Sequence, residues 1–305
     1  MSDPATPLAS SLAPPINGTS PVPQLGVIRA AGDDAASFLQ GQLTQDVVLQ
    51  AVGSTRLAAL CNPKGRMLAS FQVLKRAPDE LLLVTSADTL PASLRRLSMF
   101  VLRAKLKLSD ATADFALHGL LGEATRQPVQ APAALMPLHP AGELARALWL
   151  APAGTPPPAG AALPPADWLL AEVRSGVARI TQPVVEAFVP QMLNYESADG
   201  ISFKKGCYPG QEVVARSQFR GAIKRRAFVG EVAGPAQAGQ EVFAQGDEQP
   251  VGLIAQAAPL NDGRSTAVIV SLQLTARDAP ALTVGSPDGP ALGGLQLPYA
   301  LREDI

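Results

Sequence analysis

The stretch Phe203–Glu212, FKKGCYPGQE, combines two lysines, a thiol, an aromatic ring, two glycines, a proline and an amide next to a carboxylate. Pro209 suits the first turn of a helix, and residues 211–218 are plausible helix residues. Cys207 is therefore predicted just before a helix N-terminus, with both lysines beside it. Positive potential favours a thiolate over a thiol, so Cys207 is a candidate reactive or ligating cysteine. The alternative is a structural cysteine buried in a tight turn.

Outside this stretch, the residue inventory excludes several kinds of chemistry. The chain has only two histidines, His118 and His139, and neither lies near a cysteine or a cluster of carboxylates in the sequence. It contains no paired-cysteine motif, no His-Glu-Xaa-Xaa-His motif, no phosphate-binding loop and no Gly-Xaa-Gly-Xaa-Xaa-Gly motif. We therefore predict neither a metal site nor a nucleotide-binding loop.

Length and composition indicate the number of domains, the kinds of partner and the cellular compartment of the protein. The 305 residues, 47% of them hydrophobic, are enough for two or three domains. The net charge of −1 gives no overall attraction to nucleic acid or to membranes. Two distant cysteines argue against a disulfide framework and favour a reducing compartment, so a cytoplasmic location is expected. There is no secretory signal and no apolar run approaching ~20 residues, so no membrane partner is expected.

Changes of composition along the chain predict its division into regions. Residues 1–24 are rich in proline, serine and alanine and are predicted to form a disordered tail. Residues 25–125 alternate short strands with helices, which indicates an α+β domain. Residues 126–221 are predicted to be a middle α+β region with Pro-rich linkers, and they carry the cysteine stretch. Residues 222–305 contain short Val- and Ile-rich runs between turns, which is typical of a small β-barrel.

Three local predictions depend on pattern alone. Apolar residues recur at near-helical spacing over residues 33–47, which predicts one helix ending near Asp46. That carboxylate either caps the following turn or has a functional use. Residues 101–108 alternate apolar and basic side chains and predict a strand. Residues 127–165 are rich in proline and predict loops, interrupted by a short helix around residues 143–148.

Basic residues cluster in the first domain. They are either a solvated surface or a local patch for an anionic chain or nucleic acid. The residues are Lys64, Arg66, Arg95, Arg96, Arg103, Lys105 and Lys107.

The segment Lys205–Glu212 resembles the signature of the YgfZ-type folate-binding proteins. These are relatives of the glycine-cleavage T-protein (aminomethyltransferase) and are implicated in iron–sulfur enzyme maturation and tRNA modification. The likeness covers about residues 25–300. Further matching segments are Phe38–Asp46, Asn62–Arg66, Arg174–Ala178, Pro190–Asn194 and Arg220–Arg226.

The resemblance implies an α+β fold of three domains in a T-protein-like ring around a central tetrahydrofolate cavity, ending in a small β-barrel. It implies that Cys207 is the functional thiol, with Lys205 as its catalytic neighbour. It also implies that Glu172 holds the pterin, whose adjacent 2-amino and N3 donors suit a carboxylate that accepts both hydrogen bonds. The other residues expected at the folate site are Asp46, Tyr208 and Arg216.

The function that the resemblance implies is tetrahydrofolate binding in support of the assembly or repair of iron–sulfur enzymes, including tRNA-modifying ones. The expected partners are folate and iron–sulfur client enzymes, with any contact to tRNA indirect. Two alternatives stay open. One is a folate-dependent one-carbon transferase, for which Asp46 is the candidate acid/base aspartate. The other is a non-catalytic adaptor in tRNA modification.

Overall fold

The computed structural model describes residues 16–219 and 223–302. The first strand, β1 (Gly18–Pro21), is largely buried, and Thr19 hydrogen-bonds through its N–H to Ala161 O and through its carbonyl to Leu163 N–H. The predicted disordered tail over residues 1–24 is therefore wrong for this strand, because backbone pairing orders it. The first fifteen residues lie outside the described part of the chain.

The first sheet is antiparallel, and two helices cover one of its faces. Its elements are β2 (Leu25–Ala31), α1 (Ala35–Gln40), β3 (Thr55–Cys61), β4 (Met67–Ala77), β5 (Glu80–Ser86), α2 (Leu90–Ser98) and β6 (Lys107–Asp110). The strand order is β3-β4-β5-β2-β6. Leu39 of α1 and Leu97 of α2 join Ile28, Phe71 and Leu83 of the strands in one buried cluster. Alternating apolar residues thus place one side of each strand against the helices.

Two predictions in this region are wrong. The predicted helix over residues 33–47 ends at Gln40, because the following residues bond to a distant segment instead of continuing the helix. Thr44 Oγ1 donates to Gly200 O at 2.7 Å, and Gln45 Nε2 donates to Asp199 O at 2.6 Å. Asp46 therefore lies in a loop. The predicted strand over residues 101–108 is a loop as far as residue 106, because β2 offers pairing partners only from Lys107 onward.

The second sheet contains β1 together with β7 (Phe115–Leu121), β8 (Ala134–Ala141) and β9 (Leu144–Pro152), in the order β1-β7-β9-β8. The prediction of loops over residues 127–165 is confirmed for residues 127–133 and 153–164, but it is wrong between them, where β8 and β9 replace the predicted loop and the short helix at residues 143–148. Pro137 and Pro140 lie in β8, an edge strand, where a missing backbone donor is tolerated. Strand β7 precedes the predicted boundary at residue 125 but belongs to this sheet.

The remaining elements are two helices and a closed barrel. They are α3 (Pro165–Arg174), α4 (Gln211–Phe219), β10 (Arg225–Val232), β11 (Glu241–Ala244), β12 (Gly252–Pro259), β13 (Thr266–Gln273), β14 (Leu282–Val284) and β15 (Ala291–Gln296). The barrel order is β10-β13-β12-β11-β14-β15. The predicted α+β fold with a terminal β-barrel is confirmed.

One buried cluster joins the parts of the molecule. It contains Met67 of β4, Leu170 of α3, Tyr195, Val214 of α4 and Ile269 of β13. A core shared in this way holds the first sheet, the helices and the barrel against one another. Within the described ranges, no helix has the length and apolar character needed to cross a bilayer.

Candidate functional site

A small central cavity of about 50 Å³ lies where α3 meets the first and second sheets and the segment that follows α3. Its polar lining consists mainly of Ser70, His139, Arg146, Glu172, Arg179 and Tyr195. The predicted pterin residue, Glu172, is therefore placed at a cavity. Helix α3 brings it there because the helix buries its Trp168, Leu170 and Val173 face and carries Glu172 inward with it.

Glu172 is buried and already has partners. Its Oε2 accepts a hydrogen bond from Arg179 Nη2 at 3.0 Å and a longer one from Gln256 Nε2 at 3.4 Å. Arg179 also donates from Nη1 to Ser86 Oγ at 2.9 Å. The carboxylate therefore connects α3 to the barrel strand β12 and, through Arg179, to the end of β5.

A second guanidinium faces the same cavity. Arg146 of β9 is buried, lies 4.9 Å from the Trp168 ring and donates from Nη1 to His139 O at 3.2 Å. Burial lowers the Arg146 pKa to about 10; Glu172 opposes this shift, and Arg179 adds to it. The Nε atoms of Arg146 and Arg179 are buried without a hydrogen-bond partner among the described residues. Such donors favour a ligand that brings acceptors.

The lining residues fit a pterin in chemistry but require more room. The Glu172 carboxylate can accept from adjacent N–H donors, and the unpaired Nε–H groups of Arg146 and Arg179 can donate to a carbonyl oxygen. A cavity of about 50 Å³ is far smaller than typical ligand pockets of ~300 Å³ or more. Ligand entry therefore requires the lining side chains to move.

The cysteine stretch forms a separate loop that Lys205 holds in place. The buried Lys205 Nζ donates to Gln40 O at 2.5 Å, to Leu43 O at 3.0 Å and to Gly206 O at 3.1 Å. It also lies 4.5 Å from the centre of the Tyr208 ring. Burial lowers the Lys205 pKa to about 8, and the nearby Asp46 and Cys207 oppose this shift. The lysine thus fastens the loop to the end of α1.

Cys207 is an exposed free thiol on this loop, so the alternative of a buried structural cysteine is wrong for its position. Helix α4 begins at Gln211, four residues later, because Gly210 adopts a left-handed φ of +80°. Pro209 therefore precedes the helix and does not occupy the predicted position in its first turn. Cys61, by contrast, is buried, and burial raises its pKa to about 12.

Gly210 is required by a close contact with the first hairpin. A Cβ on Gly210 would lie 2.4 Å from Asn62 O and 2.6 Å from Gly65 Cα. Gly65 also has a left-handed φ, of +71°, and a Cβ there would lie 3.0 Å from Val213 Cβ. The turn at residues 62–65 and the cysteine loop therefore pack backbone against backbone, which only glycine permits.

The structure brings some of the predicted site residues together and separates others. Asp46, Lys205, Cys207 and Tyr208 lie around the cysteine loop, whereas Glu172 lines the central cavity. Asp46 Oδ1 accepts from Leu49 N–H at 2.9 Å, so it caps the following turn. Arg216 pairs with Glu212 at 2.8 Å on the exposed side of α4. The folate roles of Asp46, Tyr208 and Arg216 stay predictions.

Sequence reasoning missed two residues that line the cavity, Arg146 and Arg179, and a third, Gln256, that bonds to Glu172. Arg146 lies in the stretch for which the sequence predicts a short helix, and Gln256 lies in the distant barrel. Arg179 directly follows Arg174–Ala178, one of the segments that carry the resemblance. This proximity is the one feature of the sequence that could have indicated a role for it.

Comparisons with known proteins agree with this architecture. Residues 18–135 match the family model described as the GCVT N-terminal domain. The tRNA-modifying protein YgfZ of Edwardsiella ictaluri (strain 93-146) is 34% identical over 66% of this chain and 67% of its own length. The protein of the same name from Colwellia psychrerythraea (strain 34H / ATCC BAA-681) is 29% identical over 91% of this chain and 92% of its own length.

The crystal structure of glycine cleavage system aminomethyltransferase T from Bartonella henselae matches with a TM-score of 0.60 at 15% identity, covering 93% of this chain and 86% of that chain. The fold is therefore that of the aminomethyltransferase-like T-protein class. Within this class, the chain belongs to the YgfZ family. The resemblance inferred from the cysteine stretch is confirmed.

Proposed function

We propose that the protein binds tetrahydrofolate in the central cavity and supports the assembly or repair of iron–sulfur enzymes through the thiol of Cys207. The observation that carries the proposal is the buried group of Glu172, Arg146 and Arg179, in which both guanidinium Nε atoms lack partners within the described residues. A pterin offers donors for the carboxylate and an acceptor for an Nε–H group. When bound, tetrahydrofolate supplies the capacity to carry a one-carbon unit.

The chain's own residues give Cys207 its proposed role. Lys205 holds the loop through three carbonyl oxygens, so the exposed thiol keeps one position relative to α1 and α4. Asp46 lies beside Lys205 and outside the lining of the central cavity, which disfavours the alternative of a one-carbon transferase that uses this aspartate at the folate. The clients in this proposal include tRNA-modifying enzymes, in keeping with the name of the relatives. A free thiol at Cys207 suits the cytoplasm.

The test is a calorimetric titration with tetrahydrofolate. Glu172→Gln should weaken binding about 10–100-fold, because the pterin donors lose a charged acceptor. Cys207→Ser should bind as the wild type does but fail to restore iron–sulfur enzyme activity in cells that lack the native protein. The matched control is Glu212→Gln, which removes an exposed carboxylate of α4 and should leave the affinity unchanged.

Two results would contradict the proposal separately. A folded Glu172→Gln variant that binds tetrahydrofolate with wild-type affinity would exclude the central cavity as the folate site. Full rescue of iron–sulfur enzyme activity by Cys207→Ser would show that the function does not require the thiol. Circular dichroism of each variant excludes misfolding as the cause of a loss.

A further inference from the structure

Three cavities follow one another along residues 182–192, which connect α3 to the cysteine stretch. The first, of about 610 Å³, lies between this segment, the turn at residues 62–64 and α2, and it is lined by Lys64 and Arg96. The second, of about 280 Å³, is lined by Arg66 and Arg225. The third, of about 380 Å³, lies against α4 and shares Arg225 with the second. We call this series the cationic groove.

The cationic groove has a strong excess of positive charge. Its six basic residues are Lys64, Arg66, Arg96, Arg216, Lys224 and Arg225, and its two carboxylates are Glu186 and Glu241. Within the described ranges, only Arg216 of the six forms an ion pair, with Glu212. The Arg225 pKa is lowered, first by burial and then by repulsion from Arg66. Two guanidinium groups thus lie close together, and neither forms an ion pair with the Glu241 carboxylate that lines the same cavity. Such a groove attracts anions.

Repetition along the groove distinguishes a polymer from a small anion. Basic residues recur in each of the three cavities, and a segment of eleven residues spans at most ~40 Å. A single phosphate or carboxylate would occupy one cavity and leave the other cations unmatched. A chain with a negative charge on every unit matches all of them.

The lining favours a phosphodiester chain over an acidic polypeptide. Four of the six basic residues are arginines, whose planar guanidinium groups bind phosphate with two hydrogen bonds. Between them lie partly exposed apolar side chains, including Val185, Met192 and Leu253, against which unpaired bases can pack. A basic groove that follows the backbone is typical of single-stranded nucleic acid binding; aromatic side chains commonly stack on the bases there, and aliphatic side chains take that place here.

We propose that the cationic groove binds a single-stranded segment of RNA directly. The choice of RNA rests on the tRNA-modification context of the proposed function, whereas the groove itself is independent of folate. Bound RNA would lie next to the cysteine loop, because the turn at residues 62–65 packs on Gly210 and α4 lines the third cavity. Direct contact differs from the indirect contact to tRNA that the sequence resemblance implies.

The test is fluorescence anisotropy with a labelled oligouridylate of about 12 nucleotides, titrated between about 50 and 200 mM salt. Wild-type affinity should fall steeply with salt. Lys64→Gln and Arg225→Gln should each weaken binding about 3–10-fold and reduce the slope of log K against log salt by about 0.7, the value for one lost phosphate contact on a single strand. The control, Lys107→Gln, removes an exposed cation of β6 outside the groove and should change neither quantity.

Three outcomes would overturn the proposal. The first is that the wild-type protein does not bind the RNA at low salt. The second is that Lys107→Gln loses as much RNA affinity as the groove variants do. The third is that a polyglutamate of equal charge binds more tightly than the RNA. Tetrahydrofolate titration of the same variants separates this proposal from the previous one. Folate affinity should be unchanged in Lys64→Gln and Arg225→Gln, so loss of RNA binding alone leaves the folate proposal intact.

Discussion

At the scale of single residues, Lys205 shows how one side chain sets the position of another. Its ammonium group donates to three backbone carbonyls, of which one belongs to Gln40, the last residue of α1, and one to Leu43, in the loop that follows. The sequence predicts a chemical role for this lysine beside Cys207, and that role stays a prediction. Its hydrogen bonds give it a structural role first, since they fix the loop that exposes the thiol.

We expect Lys205→Met to lower the free energy of unfolding by about 1–3 kcal/mol, because three carbonyls lose a charged donor. It should also increase the rate of amide hydrogen exchange in the loop, because the loop is released. Urea denaturation and hydrogen exchange measure the two effects. Lys204→Met is the matched control, since Lys204 is exposed and next to it in the sequence. Equal stability of the two variants would show that Lys205 does not fasten the loop.

At the scale of elements, two turns that are distant in sequence depend on each other. The first-hairpin turn and the cysteine loop meet at Gly65 and Gly210, both of which have left-handed backbones. Turn residues were recognisable in each segment, but their contact was not, because a turn motif specifies local dihedral angles and not a distant neighbour. A similar limit applies to β8, where prolines suggested a linker and instead occupy an edge strand.

Gly210→Ala should lower the free energy of unfolding by about 2–4 kcal/mol, because the new Cβ is strained at φ +80° and collides with the backbone of Asn62 and Gly65. Gly53→Ala provides a matched control. Gly53 has nearly the same φ, +81°, but a Cβ on it would meet no atom within 4 Å, so only the conformational cost of about 1–2 kcal/mol remains. Thermal or urea unfolding gives both values. A Gly210 variant no less stable than the Gly53 variant would exclude the packing contribution.

At the scale of the whole molecule, buried polar contacts close the ring between its parts. Glu172 of α3 bonds to Arg179 and to Gln256 of the barrel. After β15, Pro298 packs against Gly176, and the Tyr299 ring contacts the His139 ring at a tilt of 53°, with ring centroids 4.5 Å apart. The residues that line the central cavity come from the first sheet, the second sheet, α3 and the segment after α3. The barrel contacts this lining through the hydrogen bond from Gln256 to Glu172.

The free energy of unfolding should fall as pH drops from about 7 to 5, because folding lowers the pKa of both histidines. Burial lowers the pKa of His139 from 6.5, and Arg146 adds to this, while hydrogen bonds to the carbonyls of Pro140 and Ser175 oppose it. Burial also lowers the pKa of His118. In this range the unfolded chain binds more protons than the folded chain, so protonation favours unfolding.

Urea denaturation at several pH values measures this dependence. His139→Gln should reduce it, and His118→Gln should have a separate effect, because the two histidines lie on different strands, β8 and β7. An unchanged pH profile in the double variant would show that other groups control acid stability.

The amino-acid sequence alone predicts the α+β class, the terminal barrel, the YgfZ resemblance and the prominence of the Cys207 thiol. These follow from local periodicity and from a dense motif, both of which are written in consecutive residues. Tertiary contacts end α1 at Gln40 and bring Lys205 to the end of that helix. They also place Arg179 and Gln256 against Glu172 and bring Arg146 to the same cavity. The physical reason is that these contacts join residues far apart in the chain, and their energies outweigh local preference.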